Sequence, residues 1–144
     1  MRATSYPLDR DTPLWNPALD ASGRPDAING LLRGELSAIE SYDQVLEKYA
    51  TNAAVQELRR IRVEHYAAAR VLREQVRTAG GEPTDSSGPW GVFAGLVTGT
   101  AKVLGLNPVV SALQQGEELG ISDYAAALED ESISLGCRNA IESQ

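Results

Sequence analysis

The sequence predicts an all-α chain of two helical hairpins joined by a long crossover, and three observations carry that prediction. Apolar residues recur at alternating steps of three and four along several segments, the spacing that lays one stripe along an α-helix. Prolines and glycines gather instead at the N-terminus and between those segments. Finally, GELSAIESYDQVLE (34–47) and GEELGISDYAAALE (116–129) carry glutamate and tyrosine at one spacing, so that Glu35 and Tyr42 recur as Glu117 and Tyr124, 82 positions on. A recurrence of that length points to a duplicated helical hairpin.

Residues 1–25 hold four prolines, Pro7, Pro13, Pro17 and Pro25, and no helical period. They are expected to form an irregular or disordered arm, with Trp15 as the side chain able to dock it. Asp26 is placed as the cap of the first helix, which runs to about Ala50 with Ile28, Leu32, Ile39, Tyr42, Leu46 and Tyr49 inward. Thr51 or Asn52 restarts the chain as the second helix. Its stripe is Leu58, Ile61, Ala68, Ala69, Leu72 and Val76, and Gly80-Gly81 ends it.

Residues 81–107 read as the crossover, with Pro89 opening a short helix through WGVFAGLVTGTAKVLG. Asn107-Pro108 then caps and opens the third helix, to about Glu129, with Val110, Leu113, Ile121, Tyr124 and Leu128 inward. A fourth, short helix is expected from about Glu131 to the end. Hairpin, long crossover and second hairpin form the connectivity of ferritin-like four-helix bundles, and residues 26–144 are assigned to such a bundle.

Polar residues interrupt the apolar stripes at matching places. At ~100° per residue, Glu35 falls within about 20° of Ile28 and Tyr42, near the middle of the first helix's apolar arc. Glu117 likewise falls about 20° from Val110 and Tyr124 and about 40° from Leu113 and Ile121. His65, the only histidine, lies about 20° from Leu58 and Leu72 on the second helix. Three helices thus aim one potential ligand each into the core.

A buried carboxylate needs a partner, and two readings of this layer stand. In one, Glu35, His65 and Glu117 bind a metal ion; carboxylate oxygen and imidazole nitrogen suit iron, manganese or zinc. In the other the layer is metal-free, and the two glutamates accept hydrogen bonds from Tyr124, Tyr42 or His65. In both, Tyr42 and Tyr124 pack the core while their hydroxyls hold the carboxylates. A complete di-iron site would need Glu-x-x-His on the second helix, but Arg62 stands three before His65 and Glu64 points about 100° away. The counterpart of His65, 82 positions on, falls at 147, beyond Gln144, so the fourth helix is expected to be short or truncated.

Composition narrows the function classes. The chain has 144 residues, one domain's worth, with net charge −7 and pI near 4.7, which argues against nucleic acid and anionic membranes as partners. Arg59, Arg60, Arg70, Arg73 and Arg77 lie off the apolar arc of the second helix and read as a solvated face, paired with acidic helices or a second subunit. A homo-oligomer is the expected assembly. Cys137 is the only cysteine, which excludes an intramolecular disulfide and fits a reducing cytoplasm. The N-terminus lacks a signal-peptide core, and the most apolar stretch, 91–105, is short and carries Lys102.

With the two Glu/Tyr segments, RRIRVEHYAAARVLREQVRTAGGEP and SSGPWGVFAGLVTGTAKVLG in view, residues 27–143 resemble a bacterial ferritin-like four-helix family of domains of unknown function. The matching polar signatures are LLRGE (31–35), Glu64-His65 and GEE (116–118). The resemblance implies a ferritin-like fold, a site at Glu35, His65 and Glu117, and Glu64, Glu118, Tyr42 and Tyr124 around it. It implies no reaction, so a metal-binding bundle, of iron or manganese, stands beside a metal-free structural or stress-related module that acts through oligomerisation.

Overall fold

The computed structural model describes residues 24–88 and 105–143. Helices account for most of them: α1 (Arg24–Lys48), α2 (Gln56–Thr78), α3 (Leu106–Glu129) and α4 (Leu135–Glu142), with a 3₁₀ turn at Ala53–Val55 and no strand among the described residues. The expected arm at 1–23 and the short helix expected from Pro89 lie outside the described residues. No described helix is long and apolar enough to cross a membrane.

Helix α1 is the hub, packing along α2 most extensively and along α3 next, while α4 lies against α3 and one end of α2. Side-chain pairs fix the directions. Arg62 reaches Asp43 and His65 reaches Glu35, so α2 runs antiparallel to α1. Tyr42 reaches Glu117 and Tyr124 reaches Glu35, so α3 is antiparallel to α1 as well. Helices α2 and α3 therefore run parallel, and the chain must travel the length of the molecule between them. That is the physical need behind the long crossover.

The buried apolar side chains form two clusters. One gathers Ile28, Leu32, Leu72, Val76, Ile133 and Ile141 with their neighbours. The other gathers Val45, Val55, Leu58, Val109 and Leu113 around Tyr42. Between them, along each of the three long helices, lie Glu35, His65 and Glu117.

The helix ends depart from expectation in four places. Asp26 sits inside the first turn of α1 instead of capping it, where its charge complements the helix dipole. Asn52 caps the 3₁₀ turn, accepting a 2.9 Å bond from the Ala54 amide, and α2 proper begins at Gln56. Helix α3 starts one residue before Asn107, after Gly105 at φ 85°, leaving Pro108 in the first turn where a missing N–H costs nothing. Helix α4 begins at Leu135, not Glu131. Its cap is Ser134, whose hydroxyl accepts the Cys137 amide at 3.2 Å. The stop of α2 is as expected: Gly80 at φ 82° and Gly81 return their amides to Arg77 and Val76, at 2.9 Å each, in a Schellman arrangement.

One side chain leaves the predicted inward pattern: Ile121 is 69% exposed, whereas Tyr49, Ile61, Val110, Tyr124 and Leu128 are half-buried against the core. Ile121 lines the cleft between α2 and α3, two helices that barely meet.

Candidate functional site

The three inward residues meet. His65 lies between the two carboxylates, its Nδ1 2.7 Å from Glu35 Oε2 and its Nε2 2.9 Å from Glu117 Oε1. The glutamate–tyrosine pairs exchange partners across the helix pair: Tyr42 donates to Glu117 Oε1 at 2.8 Å, and Tyr124 donates to Glu35 Oε1 at 2.6 Å. The spacing explains the exchange. Seven residues of helix rise about 10.5 Å, too far for a glutamate to reach its own tyrosine, whereas antiparallel docking puts each tyrosine opposite the other helix's glutamate. The Tyr42 and His65 rings pack tilted at 5.3 Å between centroids.

Ionised carboxylates only accept hydrogen bonds, so both ring nitrogens of His65 must donate. Burial pulls the His65 pKa down, but the hydrogen bonds to Glu117 and Glu35 and their negative charges outweigh it and push it up to about 9. Burial raises the Glu117 carboxyl, yet bonds from His65 and Tyr42 hold it below its usual value. Burial, reinforced by the facing carboxylates, drives both tyrosines far above their ordinary pKa and keeps them as donors. The cluster at neutral pH is one imidazolium shared by two carboxylates and clamped by two phenols.

The two glutamates are not equivalent. Both oxygens of Glu35 are engaged and its side chain is 9% exposed. Glu117 receives both of its bonds on Oε1, and no described residue bonds Oε2; the side chain is 37% exposed. It opens onto a cleft of about 470 Å³ between α2 and α3.

Residues 25–130 match the family described as Domain of unknown function (DUF2383). The chain belongs to the DUF2383 family. No curated protein and no solved structure matches it. The DUF2383 match spans α1, α2 and α3, the helices that supply the whole cluster, and stops before α4.

Within this DUF2383 domain, Glu64 and Glu118 do not join the cluster, as the resemblance implied they would. Glu64 is exposed and pairs with Arg60, and Glu118 is exposed. Neighbours of an inward residue are turned about 100° around the helix, which carries them off the core. The sequence reading missed two supporting contacts. Asn29, buried on α1, donates to the Glu82 carbonyl and accepts the Thr84 amide, both at 2.9 Å, tying the start of the crossover down. Arg62, which stands where a di-iron site would need glutamate, pairs with Asp43 at 2.7 Å. An isolated asparagine on an apolar face was the only signal for the first; nothing in sequence marks the second.

Proposed function

We propose that this DUF2383 chain is a ferritin-like bundle that binds one divalent metal ion, of the iron or manganese class, through Glu35, His65 and Glu117. One observation carries the reading: two carboxylates and one imidazole, each from a different helix, meet within hydrogen-bond distance beside an open cleft. These donor types suit such ions, and bundle-core metal sites draw glutamates from facing helices. The parallel run of α2 and α3 supports ferritin-like connectivity, and the recurrent Glu–Tyr spacing supports a duplicated hairpin. Arg62 in place of glutamate favours one ion over two.

The donors fit an ion in kind and charge. Glu117 Oε2 is free among the described residues, and binding would release the proton that His65 carries. A bound ion would supply Lewis-acid or redox chemistry. Tyr42 and Tyr124 would keep the two carboxylates oriented. Protein stripped with chelator should take up one manganese(II) per chain in calorimetric titration and elemental analysis. Glu35→Gln and His65→Ala should each weaken uptake at least tenfold while circular dichroism stays helical. Uptake well below one per chain, or uptake unchanged by Glu35→Gln, would overturn the reading.

A second reading rests on a specific feature: both His65 nitrogens are already engaged, and no group of three ligands among the described residues stands ready for a metal. Here the layer fixes helix register and the protein acts as a cytoplasmic, metal-free homo-oligomer. Sedimentation that finds a monomer, together with stoichiometric metal, would exclude it.

A further inference from the structure

The cleft between α2 and α3 is a largely apolar chamber, and on its floor Glu117 has one carboxylate oxygen that no described residue bonds. Ile61 and Ala68 line it from α2, and Leu113, Ile121 and Leu128 from α3. Its volume of about 470 Å³ lies within the ~300–1,000 Å³ of small-molecule sites. Ile121, 69% exposed, leaves a large aliphatic surface uncovered. Gly34 and Gly120 help hold the space open, since a Cβ added at either would meet nothing within 4 Å.

The electrostatics are one-sided. Among the described lining residues the ionisable groups are Glu35, Glu64, Glu117, Asp123, Glu142, His65 and the tyrosines, with no lysine or arginine. His65 is shared between Glu35 and Glu117, and Glu64 is answered from outside by Arg60. Glu117 Oε2 has no described donor.

We propose that this cleft binds a primary alkyl- or arylammonium ion, its N–H₃⁺ donating to Glu117 Oε2 and its hydrocarbon lying along Ile61, Leu113 and Ile121. An ammonium satisfies both the hydrogen bond and the charge, the stronger kind of pairing. A carboxylate ligand would meet Glu117, Asp123 and Glu142 with like charge, and an alcohol would answer the hydrogen bond alone. A wholly polar cation would leave the apolar walls wet. The inference does not rest on the metal reading, because it uses the oxygen that Glu117 keeps free in the protonated cluster.

Isothermal titration of the chelated full chain with n-hexylammonium, n-hexanol and n-hexanoate tests it. One hexylammonium should bind per chain, at least tenfold more tightly than hexanol, with hexanoate weaker still. Gly120→Leu puts bulk into the cleft from a position where a Cβ meets nothing within 4 Å, replaces none of the cluster residues and removes a helix-weakening glycine. It should weaken hexylammonium at least tenfold and leave helicity and manganese uptake unchanged. Glu117→Gln gives a second, charge-only test and should bring hexylammonium and hexanol to similar affinity. Equal binding of hexylammonium and hexanol by the parent would overturn the proposal. So would a folded Gly120→Leu variant that binds hexylammonium like the parent, and so would a Glu117→Gln variant that keeps the preference. Manganese uptake, read separately on the same preparations, distinguishes failure here from failure of the metal reading.

Discussion

Glu35 and Glu117 show how two equally spaced residues become chemically different. Among the described residues Tyr124 is the only partner of Glu35 Oε1, in a 9% exposed side chain, whereas Glu117 Oε1 has His65 as well as Tyr42 and lies beside an open cleft. Tyr124→Phe should therefore cost about 1–3 kcal/mol, because it leaves a buried carboxylate oxygen without a donor. Tyr42→Phe should cost less, about 1 kcal/mol, because His65 and water can serve the oxygen it abandons. Urea denaturation of both variants checks the order, and a Tyr42→Phe loss equal to or above that of Tyr124→Phe would contradict it. The helical wheel was enough to name Glu35, His65, Glu117 and the two tyrosines. It could not say that the tyrosines would swap partners, because an exchange across helices depends on the docking of α1 on α3.

At the scale of elements, helix interiors were legible and helix ends less so. Ile28, Leu32, Leu58, Leu72 and Val76 face inward as the periodicity requires. The Gly80-Gly81 stop was readable because only glycine adopts φ near 80° without strain. Gly80→Ala should cost about 1–2 kcal/mol by thermal denaturation, the penalty of a left-handed conformation for a residue with a Cβ. Asp26 and Asn107 misled because acidic and amide side chains favour both the cap and the first turn, positions one or two residues apart. Ser134 was missed as a cap because the turn before it is set by Asp130, which accepts the Ser132 amide, and by Ile133, which is buried against the first core cluster.

For the whole molecule, the polar layer between two apolar clusters ties stability to pH. The unfolded imidazole titrates near 6.5 and the folded one near 9, so the native state binds this proton more tightly. The contribution is complete below about pH 6.5 and is lost as pH rises to about 9. At 1.36 kcal/mol per pH unit it amounts to at most about 3 kcal/mol. Glu117, held below its ordinary 4.5, acts in the opposite sense: its contribution is present above that value and lost as pH falls through the lowered one. The urea midpoint of chelated protein should be highest between about pH 5 and 6.5 and fall towards pH 9. His65→Gln should flatten the alkaline limb, and a limb unchanged in that variant would place its origin elsewhere. The sequence by itself determined the helical class, the hairpin boundary at Gly80-Gly81 and the inward aim of Glu35, His65 and Glu117, because side-chain direction along a helix is a local property of 3.6-residue periodicity. Only the tertiary structure decided that His65 would bridge the carboxylates, that Ile121 would stay exposed and that Glu117 would be the more open of the two glutamates. Those depend on which helix corners are filled, and corner filling is set by packing between segments far apart in the chain.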